Sequence, residues 1–232
     1  MSVGYHVQRP TMDPIAYLKT VDTPTLANAI ELLNLRPRSA GFTPLSIRCM
    51  FPEFGRMCGY AVTAHVETVT RASGQDRGPF PDLFAAIDAS PKPAIVVMQE
   101  MGGHRDSATH CGEILASIFT RLGAIGLVSD CGVRDIPEVR AIGMHYFARG
   151  AVASHAYFRM VRASEPVQIE GLEIRPGELL HGDENGLITV PPCPIEDIAA
   201  AVDKIRGREG RLLEFVRGAE FTLEGLKTRF LE

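Results

Sequence analysis

The stretch from Thr109 to Asp135, THCGEILASIFTRLGAIGLVSDCGVRD, constrains the chain most. It reads as a helix, a turn, a buried strand and a sharp loop. Apolar residues at Ile114, Leu115, Ile118, Phe119 and Leu122 have the spacing of one helical face, and Gly123 is placed to end the helix. Three residues before Glu113 stands His110, so no strict Ser/Thr-x-x-Glu capping box opens it. The backbone N–H groups of Gly112 to Leu115 are then left to Thr109, to water, or to a carboxylate or phosphate. Ile125 to Val128 has the length of a buried strand, and Asp130-Cys131-Gly132 reads as a turn. Asp135 with Glu138 has the spacing of an N-cap pair, with Pro137 in the first helical turn. The same Asp135 could instead be a hard oxygen ligand for Mg2+ or Mn2+, beside an Arg134 able to grip a carboxylate.

Composition narrows the class. The chain has 232 residues, 45% apolar and 22% charged, with a net charge of -4. That is ordinary globular composition, and no basic block points to nucleic acid. No run approaches the length of a membrane span, and the first residues lack a signal-peptide layout, so a cytoplasmic protein is the expectation. The five cysteines are odd in number and include no Cys-x-x-Cys, which favours reduced thiols over a disulfide framework or zinc knuckle. Cys111 with His110 as its base is disfavoured as a nucleophile, because adjacent residues on a helix diverge.

Elsewhere the pattern alternates between strands and helices. Thr23 or Thr25 is placed to cap a helix carrying Leu26, Ile30 and Leu33. Gly59 to Val66 and Ala94 to Met98 read as strands, with His65 on the solvent or partner side of the first. Residues 70–82 read as a surface loop, and Gly102-Gly103 as a place where backbone can approach a ligand. Asp183 to Gly186 reads as a hairpin turn rather than a cation loop. The chain is expected to form one domain over 1–232, with a core at about 20–192 and a helical region from about 195 to 232.

Taken together, Gly112-Glu113 followed by Arg134-Asp135 resembles the signature of the RraA-like family. Thr23 to Ala29, Gly59 to Thr63, Phe147 to Gly150, Pro176 to Glu178 and Gly182 to Pro191 match in the family's order. The family includes 4-hydroxy-4-methyl-2-oxoglutarate / 4-carboxy-4-hydroxy-2-oxoadipate aldolases. The resemblance implies an α/β fold, an αββα sandwich of the swivelling-domain kind, assembled as a homotrimer or homohexamer with sites between subunits. It implies that the amides of Gly112, Glu113, Ile114 and Leu115 hold the carboxylate of a 2-oxo acid substrate, that Arg134 binds the same molecule, and that Asp135 ligates Mg2+ or Mn2+. Glu113 would reach that ion through water, and Glu209 is a candidate acid from a neighbouring subunit. The implied activity is class II retro-aldol cleavage to pyruvate through an enolate, with oxaloacetate decarboxylation alongside.

The chain departs from the pattern at Cys111, where the family often has Trp, and at Cys131, where it often has Gly. Both changes bear on substrate identity. The rival reading is a non-catalytic regulator that binds a ribonuclease on the same scaffold. A third family label, a menaquinone methyltransferase, finds no glycine-rich nucleotide motif here.

Overall fold

Ala94 to Met98 are all fully buried, and the strand they form organises the molecule around it. In this computed structural model, which describes residues 12–71 and 78–230, the elements follow one another in chain order. Helices α1 (Pro14–Leu18) and α2 (Thr23–Leu32) come first. Then follow β1 (Arg48–Cys49), β2 (Met57–Glu67), α3 (Phe80–Ala89), β3 (Ala94–Glu100), β4 (Thr109–Cys111) and α4 (Glu113–Arg121). Next are β5 (Ala124–Ser129), β6 (Gly132–Val133), α5 (Ile136–Ile142), β7 (His145–Ala148), β8 (Gly150–Ala151) and β9 (Arg159–Ala163). The hairpin β10 (Val167–Ile169) and β11 (Leu172–Ile174) precedes β12 (Leu179–Asp183), β13 (Gly186–Val190), α6 (Ile195–Arg217) and α7 (Leu223–Phe230). The chain is thus a mixed α/β protein, as expected.

Among the described residues the main sheet has eight strands, in the order β1-β7-β5-β3-β2-β12-β13, with β9 also on β2. Its centre, β7-β5-β3-β2, is parallel. One edge of the long β2 is shared end to end: β12 pairs residues Met57 to Tyr60, and β9 pairs Ala64 to Glu67. A strand buried on both faces reads as a continuous apolar run, which is why β3 was legible. Val96 and Met98 face Leu83 and Ile87 of α3, Ala116 and Phe119 of α4, and Val139 of α5. Ile95 and Val97 face the opposite way, onto the β10–β11 hairpin. A third cluster joins α1, α2 and α6 to Ile188 and Val190 of β13.

Several local expectations are corrected. The cap of α2 is Asp22, whose carboxylate accepts from Thr25 N–H at 2.9 Å, and not Thr23 or Thr25. Thr23 instead donates its backbone N–H to Asp183, and its hydroxyl contacts His181 Nδ1 at 3.0 Å, tying α2 to the β12–β13 hairpin. His65 is buried rather than exposed. His110 and Cys111 lie on a strand, β4, and not on the helix. Of the loop read at 70–82, residues 72–77 lie outside the described residues, and Phe80 onward is helical.

Candidate functional site

A second, three-stranded sheet, β4-β6-β8, brings the two candidate segments together. Parallel pairing sets Thr109 beside Gly132 and Cys111 beside Val133, so Gly112-Glu113 and Arg134-Asp135 leave the sheet side by side. Asp135 stands at the N-cap position of α5, yet its side chain makes no capping bond there. Its Oδ2 accepts from Glu113 N–H at 2.9 Å, the first amide of α4. The capping role expected from Glu138 spacing is therefore not the one Asp135 plays. The backbone turns sharply to allow this: Asp135 is left-handed, with φ 56° and ψ 46°. A carboxylate at a helix N-terminus is favoured by the helix dipole as well as the hydrogen bond.

Gly112 makes the approach possible. A Cβ there would lie 2.3 Å from Asp135 Oδ2 and 3.0 Å from Arg134 Nε. The missing side chain is a cradle in which the two charged groups sit. Arg134 Nε is buried, lies 3.7 Å from Asp135 Oδ2, and makes no hydrogen bond among the described residues. The guanidinium thus keeps one buried donor unpaired beside a half-exposed carboxylate. The N-cap residue of α4, Gly112, has no side chain to cap it, and Asp135 engages its first amide instead. Ile114 is 76% exposed instead of packed with the helix's apolar face, which is formed by Ala116 and Phe119 with Leu115, Ile118 and Leu122 at its margin.

The donors present suit a hard dication. Asp135 has one oxygen engaged with Glu113 N–H and is itself half exposed, and the Glu113 residue is exposed. Mg2+ is commonly held by one or two carboxylates, with water and substrate completing its shell. Glu209 lies on α6, in a groove lined also by Asn28, Glu31 and Leu212 and by none of the four residues above.

A buried polar network that the sequence did not announce runs through β4, the strand that leads into Gly112. Glu100 Oε2 is 3.0 Å from His110 Nε2, and His110 Nδ1 is 2.9 Å from Ser129 Oγ, which accepts from Cys131 N–H. Burial raises the Glu100 carboxyl, but His110 and the amides of Gly102 and Thr68 outweigh it and leave Glu100 below its usual range. Burial holds His110 below its usual value. Where Nε2–H donates to Glu100 Oε2, Nδ1 is left to accept from the Ser129 hydroxyl. Gly102 does let backbone approach an anion, but the anion is Glu100, at 2.7 Å. Burial pushes Asp130 up to about 7, opposed by Glu100 N–H and by Arg105, whose Nε is 3.2 Å away. Burial also pushes the thiols of Cys111 and Cys131 up to about 12, so neither is a ready nucleophile. Glu100, His110 and Cys131 come from three separate segments, and no spacing in the sequence links them.

Residues 23–189 match the model of the RraA-like family, Aldolase/RraA. A protein of Halalkalibacterium halodurans provisionally named 4-hydroxy-4-methyl-2-oxoglutarate aldolase is 28% identical over 195 residues, 83% of each chain. Protein DlpA of Legionella pneumophila is 27% identical over 128 residues, 54% of this chain, and the match spans only 20% of that protein's length. Among solved structures, Streptomyces coelicolor RraAS2, described as an unusual member of the RNase ES inhibitor RraA protein family, superposes with a TM-score of 0.63. It is 23% identical, with 90% of this chain and 98% of that one covered. At that identity the likeness speaks to the fold.

Proposed function

This chain belongs to the RraA-like family, and from that premise we propose that it is a divalent-metal-dependent lyase that cleaves a 4-hydroxy-2-oxo acid to pyruvate and a second oxo acid. The observation that carries the reading is the Gly112 cradle, which sets the Asp135 carboxylate on the first amide of α4 beside an unspent Arg134 Nε. The provisional aldolase name of the Halalkalibacterium halodurans relative supports it.

In this reading the substrate carboxylate lies over the start of α4 and accepts from the amides of Gly112, Ile114 and Leu115, the Glu113 amide of the expected set being held by Asp135. Arg134 reaches the carboxylate and the C2 keto oxygen, where its charge favours a developing oxyanion. Mg2+ or Mn2+ held at Asp135, with Glu113 reaching it through water, would supply Lewis-acid polarisation of the keto group. Glu113 acts as the general base, taking the C4 hydroxyl proton through water. The C3–C4 bond then breaks, its electron pair passes to the keto oxygen as the pyruvate enolate, and C4 leaves as the carbonyl of the second product. Protonation at C3 completes pyruvate. Oxaloacetate reaches the same enolate by losing CO2, so decarboxylation accompanies the aldolase activity. We assign the working unit as a homotrimer or homohexamer, with Glu209 of a neighbouring copy completing the site.

The test is pyruvate release from 4-hydroxy-4-methyl-2-oxoglutarate and from oxaloacetate, with Mg2+ or Mn2+ and with EDTA. Release from both, abolished by EDTA and restored by added metal, is the expected result. A folded oligomer that turns over neither overturns the reading for these substrates and turns attention to protein-partner binding.

A further inference from the structure

Glu100 ends β3, His110 is central in β4, and Cys131 lies between β5 and β6. A carboxylate oxygen, a ring nitrogen and the sulfur of these residues all lie within 4.8 Å of one another. All three residues are at most 2% exposed. Each is oriented by further contacts. Ser129 Oγ engages His110 Nδ1 at 2.9 Å, which turns Nε2 toward the other two groups. Glu100 Oε1 accepts from the backbone of Gly102 at 2.7 Å and of Thr68 at 3.2 Å, which leaves Oε2 facing His110. Cys131 N–H donates to Ser129 Oγ at 3.0 Å, fixing the backbone that carries the thiol. Metal-binding histidines are typically held in this way through their second ring nitrogen.

We propose that Glu100, His110 and Cys131 form a second metal site, for a borderline transition-metal dication of the Zn2+ class, sharing no ligand with Asp135. The nitrogen, sulfur and carboxylate donor set is that of zinc and its neighbours and not of Mg2+. A carboxylate and a thiolate balance the charge of the ion, so the loaded cluster is neutral in its buried setting. Loading exchanges one set of bonds for another. Cys131 gives up the thiol hydrogen bond it donates to the Ala108 carbonyl at 3.0 Å and releases that proton to solvent. His110 moves its ring proton from Nε2 to Nδ1, where Ser129 Oγ accepts it. Glu100 Oε2 exchanges the imidazole N–H for the ion. One proton leaves per ion bound. The ion then ties the end of β3 and the β5–β6 turn to β4, the strand that leads directly into Gly112.

The probe is Co2+. Full-length protein stripped with a chelator is titrated with Co2+ in the presence of excess Mg2+, following absorbance, bound metal and proton release. The expected result is one Co2+ per chain with a thiolate-to-cobalt charge-transfer band in the near ultraviolet. The band persists in Asp135→Asn, disappears in Cys131→Ser, and yields to added Zn2+ with a rise in melting temperature. Absence of a sulfur band in the wild type overturns the site, and so does a band that survives in folded Cys131→Ser. Should Cys131→Ser not fold, the near-isosteric Glu100→Gln decides. A loss of Co2+ affinity of about tenfold or more supports the site, and unchanged affinity overturns it. Because the readout is spectroscopic, this result is independent of whether pyruvate is ever released.

Discussion

Asp135 holds a left-handed backbone conformation that costs a non-glycine residue on the order of 1–2 kcal/mol, although Asp tolerates it better than most. The cost is offset where its carboxylate meets Glu113 N–H. Gly112 is the complement of this arrangement, and Gly112→Ala tests it. The new methyl would meet Asp135 Oδ2 and Arg134 Nε, so both must shift. We expect pyruvate release to fall about a hundredfold, as for a small misplacement of reacting groups, with a near-native denaturation midpoint because the displaced groups are half exposed. Arg134→Lys keeps the charge but removes the planar fork. Its kcat/KM is expected to fall about tenfold to a hundredfold in steady-state assays with either substrate, and a wild-type value would remove Arg134 from the site.

At the scale of elements, β3 and α4 were legible because burial imprints a period on sequence. The apolar run of β3 and the spacing of Leu115, Ile118, Phe119 and Leu122 both survive in the core. Ile114 fits the same pattern yet is 76% exposed, because α4 packs through Ala116 and Phe119 while its first turn is left uncovered in this chain. Periodicity identifies a face, but only the position of the neighbouring elements says how far along the helix that face is covered. The cap of α2 falls on Asp22, and not on Thr23 or Thr25, for a related reason. Asp22, Thr23 and Thr25 are all competent caps, and the tertiary bonds of Thr23 to Asp183 and His181 decide among them. Asp22→Ala should lower unfolding free energy by about 1 kcal/mol in urea denaturation. Of the proposed site, Gly112, Glu113, Arg134 and Asp135 were named from their resemblance to a family signature, and the fold sets the two segments side by side. Glu100 could not, since its link to His110 and Cys131 exists only after β3, β4 and β5 are aligned.

For the whole molecule, buried histidines couple folding to pH. Burial and then Lys19 lower His145 to about 4, so the folded chain keeps it neutral where the unfolded chain would charge it. Between about 6.5 and 4 the unfolded state binds the extra proton, so stability is present above that window and is lost as pH falls through it. Replacing His145 with Gln should reduce the slope of unfolding free energy against pH in that interval by at most roughly 1.4 kcal/mol per pH unit, measured by denaturant titration at each pH. An unchanged slope would mean that His145 is charged in the folded chain. The central claim, that Asp135 anchors a metal-dependent enolate site, is tested most directly by pyruvate release from oxaloacetate in wild type and Asp135→Asn across a Mn2+ titration. Asn keeps the size of the side chain and its tolerance of the left-handed backbone, so the fold is retained while the charge is lost. The account predicts Mn2+-dependent release in the wild type and a fall of about a hundredfold or more in the variant. Equal, metal-dependent rates in the two proteins would contradict it.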